Sequence, residues 1–289
     1  MADTIGIQGP TVNNSRELSI CGWKVTSCKA PILKDSLMDR CKSDLAAPSL
    51  PEQLFADSYL KLVHAATGTC LYFSAIDGLR AWIADTPPPV RVGIAQDWLS
   101  TREADVKAHN AKTQDYDWTY STPYHGSLRT ESNSQASTSD PKWVPSPEPM
   151  NRAPLMARDP ILFYEEVPLY ESELDDHGVS QLSVKVRVMP TCWFVLLRFW
   201  LRVDKVLVRL RETRIFCDFK APPATALVTR EIRHCEGTFE ELKAAGAPGD
   251  GAAYADADSA SLALQAVAPA GVTQFSTEKL VLRKQPELM

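Results

Sequence analysis

Residues 161–216 read ILFYEEVPLYESELDDHGVSQLSVKVRVMPTCWFVLLRFWLRVDKVLVRLRETRIF, and strand-like alternation runs through several consecutive segments of this stretch. Leu182, Val184, Val186 and Val188 alternate with Ser183, Lys185 and Arg187, the two-residue period of a strand that buries one face. Trp193, Val195, Leu197, Phe199, Leu201 and Val203 then alternate against Phe194, Leu196, Arg198, Trp200 and Arg202, and after Asp204-Lys205 the run from Val206 to Phe216 continues in strand-forming residues. This is a meander of antiparallel strands. If Asp204-Lys205 is a two-residue hairpin turn, Val203 pairs with Val206, Arg202 with Leu207, Trp200 with Arg209, and Arg198 with Arg211. Like charges directly opposite destabilise a sheet, so this register asks for an anion near Arg198 and Arg211, with Arg202, Arg209 and Lys185 close by. That anion is either internal or a partner's.

Working outward, Leu18 to Cys28 reads as a first strand, and Asp35 or Ser36 caps a short helix through Leu37, Met38, Cys41 and Leu45 that Pro48-Ser49-Leu50-Pro51 ends. Tyr59 to His64 and Cys70 to Phe73 predict a hairpin, followed by a short helix with Ile76, Leu79 and Ile83 on one face and then three prolines, 87–89. Val90 to Ala95 and the aromatic run from Asp115 to Tyr124 read as strands, and Phe275 to Leu282 recovers strand character near the C-terminus. The fold class is therefore α+β, an antiparallel meander with a few short helices packed on it. We expect one domain over residues 1–289 with its core at about 17–235, a flexible Ser/Pro/Thr-rich loop at about 127–150, and a low-complexity Ala/Gly/Asp segment at about 244–270.

A chain of 289 residues with 44% hydrophobic and 23% charged residues is ordinary globular composition, and a net charge of -5 argues against a dedicated nucleic-acid binder. Neither a signal peptide nor a membrane span is supported, so no membrane partner and a cytoplasmic location, with nuclear access also allowed, are expected. The seven cysteines are widely spread, with no C-x-x-C pair, and fit buried reduced thiols.

No phosphate-binding loop, dinucleotide fingerprint, nucleophile elbow or H-E-x-x-H motif is present. Glu165, Glu166, Glu171, Glu173, Asp175 and Asp176 form an acidic arm which, completed by His177, could hold a divalent ion in a metal-dependent hydrolase. The alternative is a polar turn at Asp175-Asp176-His177-Gly178. A basic aromatic sheet of Arg198, Arg202, Arg209 and Trp200 is a further reading, for single-stranded nucleic acid, disfavoured by the acidic total charge.

An ordered series of motifs resembles the TIPRL-like family of TOR signalling regulators. It comprises Asp115-Tyr116-Asp117-Trp118-Thr119-Tyr120, Gly126 and Leu128, Glu165-Glu166-Val167, Asp176-His177-Gly178-Val179-Ser180, Leu182 to Pro190, Leu196-Leu197-Arg198-Phe199 and Thr213-Arg214, with shorter matches at residues 48–52 and at Asp77 with Leu79-Arg80. It departs from the family pattern at Asp204-Lys205, where Asp-Gly is usual. The resemblance implies a non-enzymatic regulator, without cofactor or catalytic residues, that binds the catalytic subunit of type 2A-like serine/threonine phosphatases and is monomeric when free. It further implies a cleft for the phosphatase's C-terminal tail, an acidic and aromatic segment ending in a free carboxylate, with Asp77, Trp118, Tyr120, Arg198 and Arg214 as the cleft residues. Arginine suits such a ligand because its planar fork matches a carboxylate.

Overall fold

The computed structural model describes residues 6–8, 14–47, 49–84, 90–92, 114–116, 122–131, 141–173, 178–221, 228–267 and 273–282. Its strands fall into two large antiparallel sheets and a two-stranded ribbon, with short helices between and upon them, which is the α+β class.

The smaller sheet has the order β1-β2-β3-β5-β6-β9, from Gly6–Gln8 (β1), Ser15–Ile20 (β2), Trp23–Cys28 (β3), Tyr59–His64 (β5), Thr69–Ser74 (β6) and Ser127–Thr130 (β9). The single strand expected over Leu18 to Cys28 is instead a hairpin. Cys21 and Gly22, at φ +46° and +76°, make its two-residue turn, because a tight hairpin whose twist matches its strands needs two left-handed residues.

The larger sheet has the order β10-β16-β15-β14-β13-β12-β11-β4. Its centre is the meander: Phe163–Ser172 (β11), Gly178–Met189 (β12), Cys192–Val203 (β13), Leu207–Asp218 (β14) and Val228–Thr238 (β15). Gln53–Leu54 (β4) closes one edge, while Thr273–Val281 (β16) and Lys142–Pro145 (β10) extend the other. Val90–Val92 (β7) and Gln114–Tyr116 (β8) form the ribbon.

The two sheets pack face to face, and period-two alternation decides which side chains meet. Leu18, Trp23, Val25, Leu60, Leu62 and Phe73 of the first press on Leu182, Val184, Val195, Leu197 and Phe199 of the second, with Trp23 edge-on to Trp193 at 5.1 Å. Two helices complete this core. Asp35–Leu45 (α1) ends at Ala46 in the left-handed region, φ +52°, with Asp35 in its first turn rather than at its cap. Ala75–Ala84 (α2) buries Leu79 and Trp82. Gly78 brings α2 close to the large sheet: a Cβ there would lie 2.8 Å from Leu182 Cδ2.

The outer face of the large sheet is also covered. Met150, just before the short helix Ala153–Met156 (α3), and Leu155 within it pack on Met189, Cys192 and Phe216. The segment expected to be low-complexity carries real structure, with Phe239–Ala244 (α4) leading into a 3-10 turn at Gly251–Tyr254 and Ala257–Ala263 (α5). Tyr254, Ala260, Leu264 and Val267 bury against Trp200, Val208, Leu210 and Cys235. The aspartates that look like filler are caps: Asp250 accepts from the Ala252 N–H, and Asp256 from those of Asp258 and Ser259. The core therefore runs past residue 235 into β16. The expected loop at 127–150 contains β9 and β10, and its residues 132–140 lie outside the described residues.

Candidate functional site

The β13–β14 register differs from the expected one by one residue. Val203 pairs with Leu207, because the turn takes Asp204, Lys205 and Val206. The Val206 N–H donates to the Val203 carbonyl at 3.0 Å, with Lys205 at φ +59° in the third turn position, where a type II turn needs a left-handed residue. Arg198 consequently faces Glu212 rather than Arg211.

The compensating anion is thus internal. Glu212, 1% exposed, accepts from Arg198 Nε at 3.0 Å and Nη2 at 2.9 Å, from Ser261 Oγ at 2.8 Å and from Arg214 Nη2 at 2.6 Å. Arg198, 6% exposed, also donates to Asp258 Oδ1 at 2.5 Å, and Lys185 reaches the other oxygen of Asp258 at 3.3 Å. Burial works to raise the Glu212 pKa, but Arg214, Arg198 and the Ser261 hydroxyl outweigh it and hold the carboxyl below its ordinary value. Arg198 is bound to Glu212 and Asp258, not to Asp77 or Glu165.

The large sheet separates the expected cleft residues. Leu197, Phe199, Thr213 and Ile215 point to the inner face, so Arg198 and Arg214 point outward. Asp77 rides on α2 at the inner side, where Ser127 Oγ and Arg129 Nη2 each donate to its Oδ2 at 2.5 Å and Arg80 lies 3.6 Å away. The cap of α2 is Ser74, whose Oγ accepts from the Asp77 N–H. Trp118 and Tyr120 lie outside the described residues.

The acidic arm does not converge either. Glu165 and Glu166 project to opposite faces of β11; Glu165 pairs with Arg16 and Lys29, Glu166 with Lys185. Asp175, Asp176 and His177 lie outside the described residues, among which no group of His, Cys, Asp and Glu could hold a metal ion. Trp200, expected on an open basic sheet, is buried under the C-terminal helical segment, and Arg209 points to the other face, paired with Glu236 at 2.8 and 2.5 Å. No helix among the described residues is long and apolar enough to cross a membrane.

A different constellation forms on the inner face. The segment from Thr122 to Gly126 is anchored by Thr122 Oγ1 donating to the Gly78 carbonyl at 2.8 Å and Tyr124 Oη donating to the Tyr72 carbonyl at 2.9 Å. Gly126 turns it at φ +88°, with its Cα so close to the Phe73 ring that a Cβ would sit 2.4 Å from it. His125 is thereby laid on β14, where its Nδ1 shares a hydrogen bond with Thr213 Oγ1 at 2.8 Å.

Beside His125 opens a cleft of about 300 Å³ whose titratable lining, among the described residues, is His125, Arg211, His234 and Arg233, the guanidinium of Arg233 being turned away to donate to the Leu264 carbonyl. Pro123, Ile232 and Phe275 supply its apolar surface, and among the described residues no carboxylate lines it. The nearest acid of β15, Glu236, is engaged by Arg209 and by His234 at 3.2 Å, and those bonds outweigh its burial and hold it at about 2. Burial, then Arg230, Arg211 and His234, push His125 down to about 4, so at neutral pH it is an uncharged imidazole in a positive field. The cleft can therefore take an anion with an apolar neighbour, such as an acidic or carboxylate-terminated peptide. Sequence reasoning named Arg211 only as the supposed neighbour of Arg198, and missed His125, Arg233 and His234, whose convergence depends on the true register.

A model of the TIP41-like family matches residues 53–243, from β4 through α4. The chain is 40% identical over 273 residues to a TIP41-like protein of Arabidopsis thaliana, covering 92% of this chain and 90% of that one. It is 39% identical over 204 residues to a human TIP41-like protein, covering 71% and 72%. To a Saccharomyces cerevisiae protein named type 2A phosphatase activator TIP41 it is 31% identical over 247 residues, covering 81% and 66%. With this extent of match across both sheets, the chain belongs to the TIP41-like family.

Proposed function

We propose that this protein is a non-enzymatic regulator that binds the catalytic subunit of type 2A-like serine/threonine phosphatases, modulating their activity or assembly in TOR signalling in the cytoplasm. The family supports a type 2A phosphatase as the partner, since relatives in two yeasts carry the name type 2A phosphatase activator. The observation that supports the mode of binding is the cleft that Arg211, His125 and His234 line beside Ile232 and Phe275. A C-terminal tail with acidic and aromatic residues and a free carboxylate complements both its charge and its apolar wall.

In this reading Arg211 is the principal cation for the tail, and Trp118 and Tyr120 remain candidate aromatic anchors. Arg198 and Arg214 hold Glu212, and Asp77 holds Arg129 and Ser127. Titration calorimetry with a synthetic tail peptide bearing a free carboxylate tests the assignment. Wild type and Arg214→Ala bind alike, whereas Arg211→Gln loses about tenfold or more, the value of a charge-assisted hydrogen bond. Equal binding by wild type and Arg211→Gln removes the cleft from the reading. Absence of binding to both the peptide and the intact catalytic subunit removes the partner.

A further inference from the structure

Among the described residues a serine or threonine precedes a proline twice, at Thr122-Pro123 and at Ser146-Pro147. Their surroundings differ. Thr122 is 1% exposed and its hydroxyl donates to the Gly78 carbonyl of α2 at 2.8 Å, so it is closed to chemistry in the folded chain. Ser146 follows β10, the outermost strand of the large sheet, and is half-buried among Pro145, Pro147, Glu148 and Pro149, each of them exposed.

The register fixes where Ser146 points. Pro145 pairs with Glu278, and the Ser146 N–H donates to the Thr277 carbonyl at 2.9 Å, so Ser146 stands opposite Thr277. Leu280 faces the core, with Trp143 across from it, which puts Thr277, Lys279 and Ser146 on the outer face. Thr277 pairs in turn with Glu231, and Glu231 with the outward Arg214.

Donors surround the Ser146 hydroxyl. The Glu148 N–H donates to its Oγ at 3.2 Å, and the Glu148 carboxylate accepts from Lys279 Nζ, so one residue touches both Ser146 and Lys279. The Glu148 side chain is 67% exposed against 21% for Lys279, so the acid can swing into water while the lysine stays at the sheet. Arg152 donates to Glu231 Oε2 at 3.1 Å, and its side chain is 60% exposed, which leaves the rest of its guanidinium open to solvent. Glu231 is 1% exposed and its other oxygen accepts from the Met150 N–H at 2.9 Å. Ser146 and Glu231 flank Thr277 in one row at about 10 Å, two strand spacings, which a phosphoserine and an arginine side chain can span together.

We propose that Ser146 is a phosphoacceptor site for proline-directed serine kinases, its phosphate clamped on the outer face by Lys279, Arg152 and the Glu148 N–H. In the transfer Ser146 Oγ attacks the γ-phosphorus of ATP: the Oγ–P bond forms as the bond to ADP breaks, and the hydroxyl proton passes to the kinase's base. The product carries close to two negative charges and three strong acceptor oxygens. Lys279 then exchanges an exposed carboxylate for a dianion, and Arg152 bridges that dianion to Glu231, while the repelled Glu148 carboxylate moves into water. The site stands independently of the phosphatase reading.

The test uses the full chain, ATP and a proline-directed serine kinase chosen because it phosphorylates a synthetic peptide of residues 142–150. Mass spectrometry is expected to find phosphate at Ser146 in the folded chain and none there in Ser146→Ala. A folded wild-type chain that this kinase leaves unmodified at Ser146 overturns the site. The clamp is read separately by phosphorus NMR on the phosphorylated wild type, which needs no variant to fold: nearby cations favour the dianion, so the phosphate titrates below the ~6 of an unclamped phosphoserine. In phosphorylated Lys279→Met and Arg152→Gln the titration moves back toward ~6. A wild-type phosphate that titrates at ~6, or one whose titration neither substitution moves, overturns the clamp.

Discussion

Replacing Glu212 with leucine removes the acceptor around which the outer face of the large sheet is organised. Glu212 takes two bonds from Arg198, one from Arg214 and one from Ser261, and both Glu212 and Arg198 are shut off from water. Removing one partner of such a pair leaves the other charge buried, at a cost of about 3–5 kcal/mol. Asp258 still reaches Arg198, but its own side chain is largely exposed and offsets no more than about 1 kcal/mol. The net loss on Glu212→Leu is therefore about 2–4 kcal/mol. Arg198→Met costs less, about 2 kcal/mol, because Glu212 keeps Arg214 and Ser261. The double variant, with neither charge, returns to within about 2 kcal/mol of wild type, giving a coupling of at least ~2 kcal/mol. Urea unfolding of the four proteins reads these values from midpoints at constant slope. The pH dependence follows the same logic. The unfolded carboxyl titrates near 4.5 and the folded one lower, so the stabilisation is complete above pH 4.5 and lost as pH falls through the folded value. Glu212→Leu flattens that part of the profile. Single variants that cost under 1 kcal/mol, or whose effects simply add, would refute both the register and the network.

His125 gives the opposite acid signature. Buried and held near 4, it resists protonation in the folded chain while the unfolded imidazole titrates near 6.5, so it erodes stability as pH falls from 6.5 toward 4; His125→Gln should reduce that slope in urea titrations. Gly126→Ala should destabilise by about 2 kcal/mol or more and weaken tail-peptide binding, since a Cβ would strike the Phe73 ring and push His125 off Thr213; an unchanged midpoint would count against the turn as the device that seats His125. Lys205→Gly should raise stability by up to about 1 kcal/mol, because a left-handed non-glycine residue costs about 1–2 kcal/mol, less the extra chain entropy of glycine. Thr238→Ala, which breaks the capping box with Glu241 at the start of α4, should lower the midpoint by about 1 kcal/mol.

The meander was legible because two-residue alternation survives any error in register: Leu182 to Val188 and Trp193 to Val203 announce which residues are buried whether or not their cross-strand partners are known. What alternation does not encode is loop length. A two-residue and a three-residue turn at Asp204 differ by one position, and that position moves Arg198 from Arg211 to Glu212. The demand for a compensating anion followed from that register, since an arginine opposite an arginine asks for an outside anion and an arginine opposite a glutamate does not. The C-terminal cover was illegible for another reason. Its apolar contribution comes from alanines with Tyr254, Leu264 and Val267 among caps and turns, which carries too little periodicity to be told from low complexity. The cleft was hidden because its lining comes from a loop and three separate strands, each with one to three members, and only their pairing brings them together.

The same glutamate that engages Arg198 also accounts for the choice of register. β14 carries arginines at positions 209, 211 and 214 and one acid, Glu212, before Asp218. A slip of one residue turns every side chain of β14 to the opposite face. Arg198 would then lose Glu212, Ile215 and Cys217 would leave the core between the sheets, and Glu212 would enter it without Arg198 beside it. Hydrophobic burial and charge pairing reject the slipped state together, whereas the backbone of a twelve-residue strand pair makes nearly as many hydrogen bonds in either register. The network also reaches beyond the family match: Ser261 and Asp258, past residue 243, attach the C-terminal cover to Glu212 and Arg198 within it. Arg198 and Glu212 therefore act as the joint between meander and cover, on the face of the large sheet opposite the one where His125 meets Thr213.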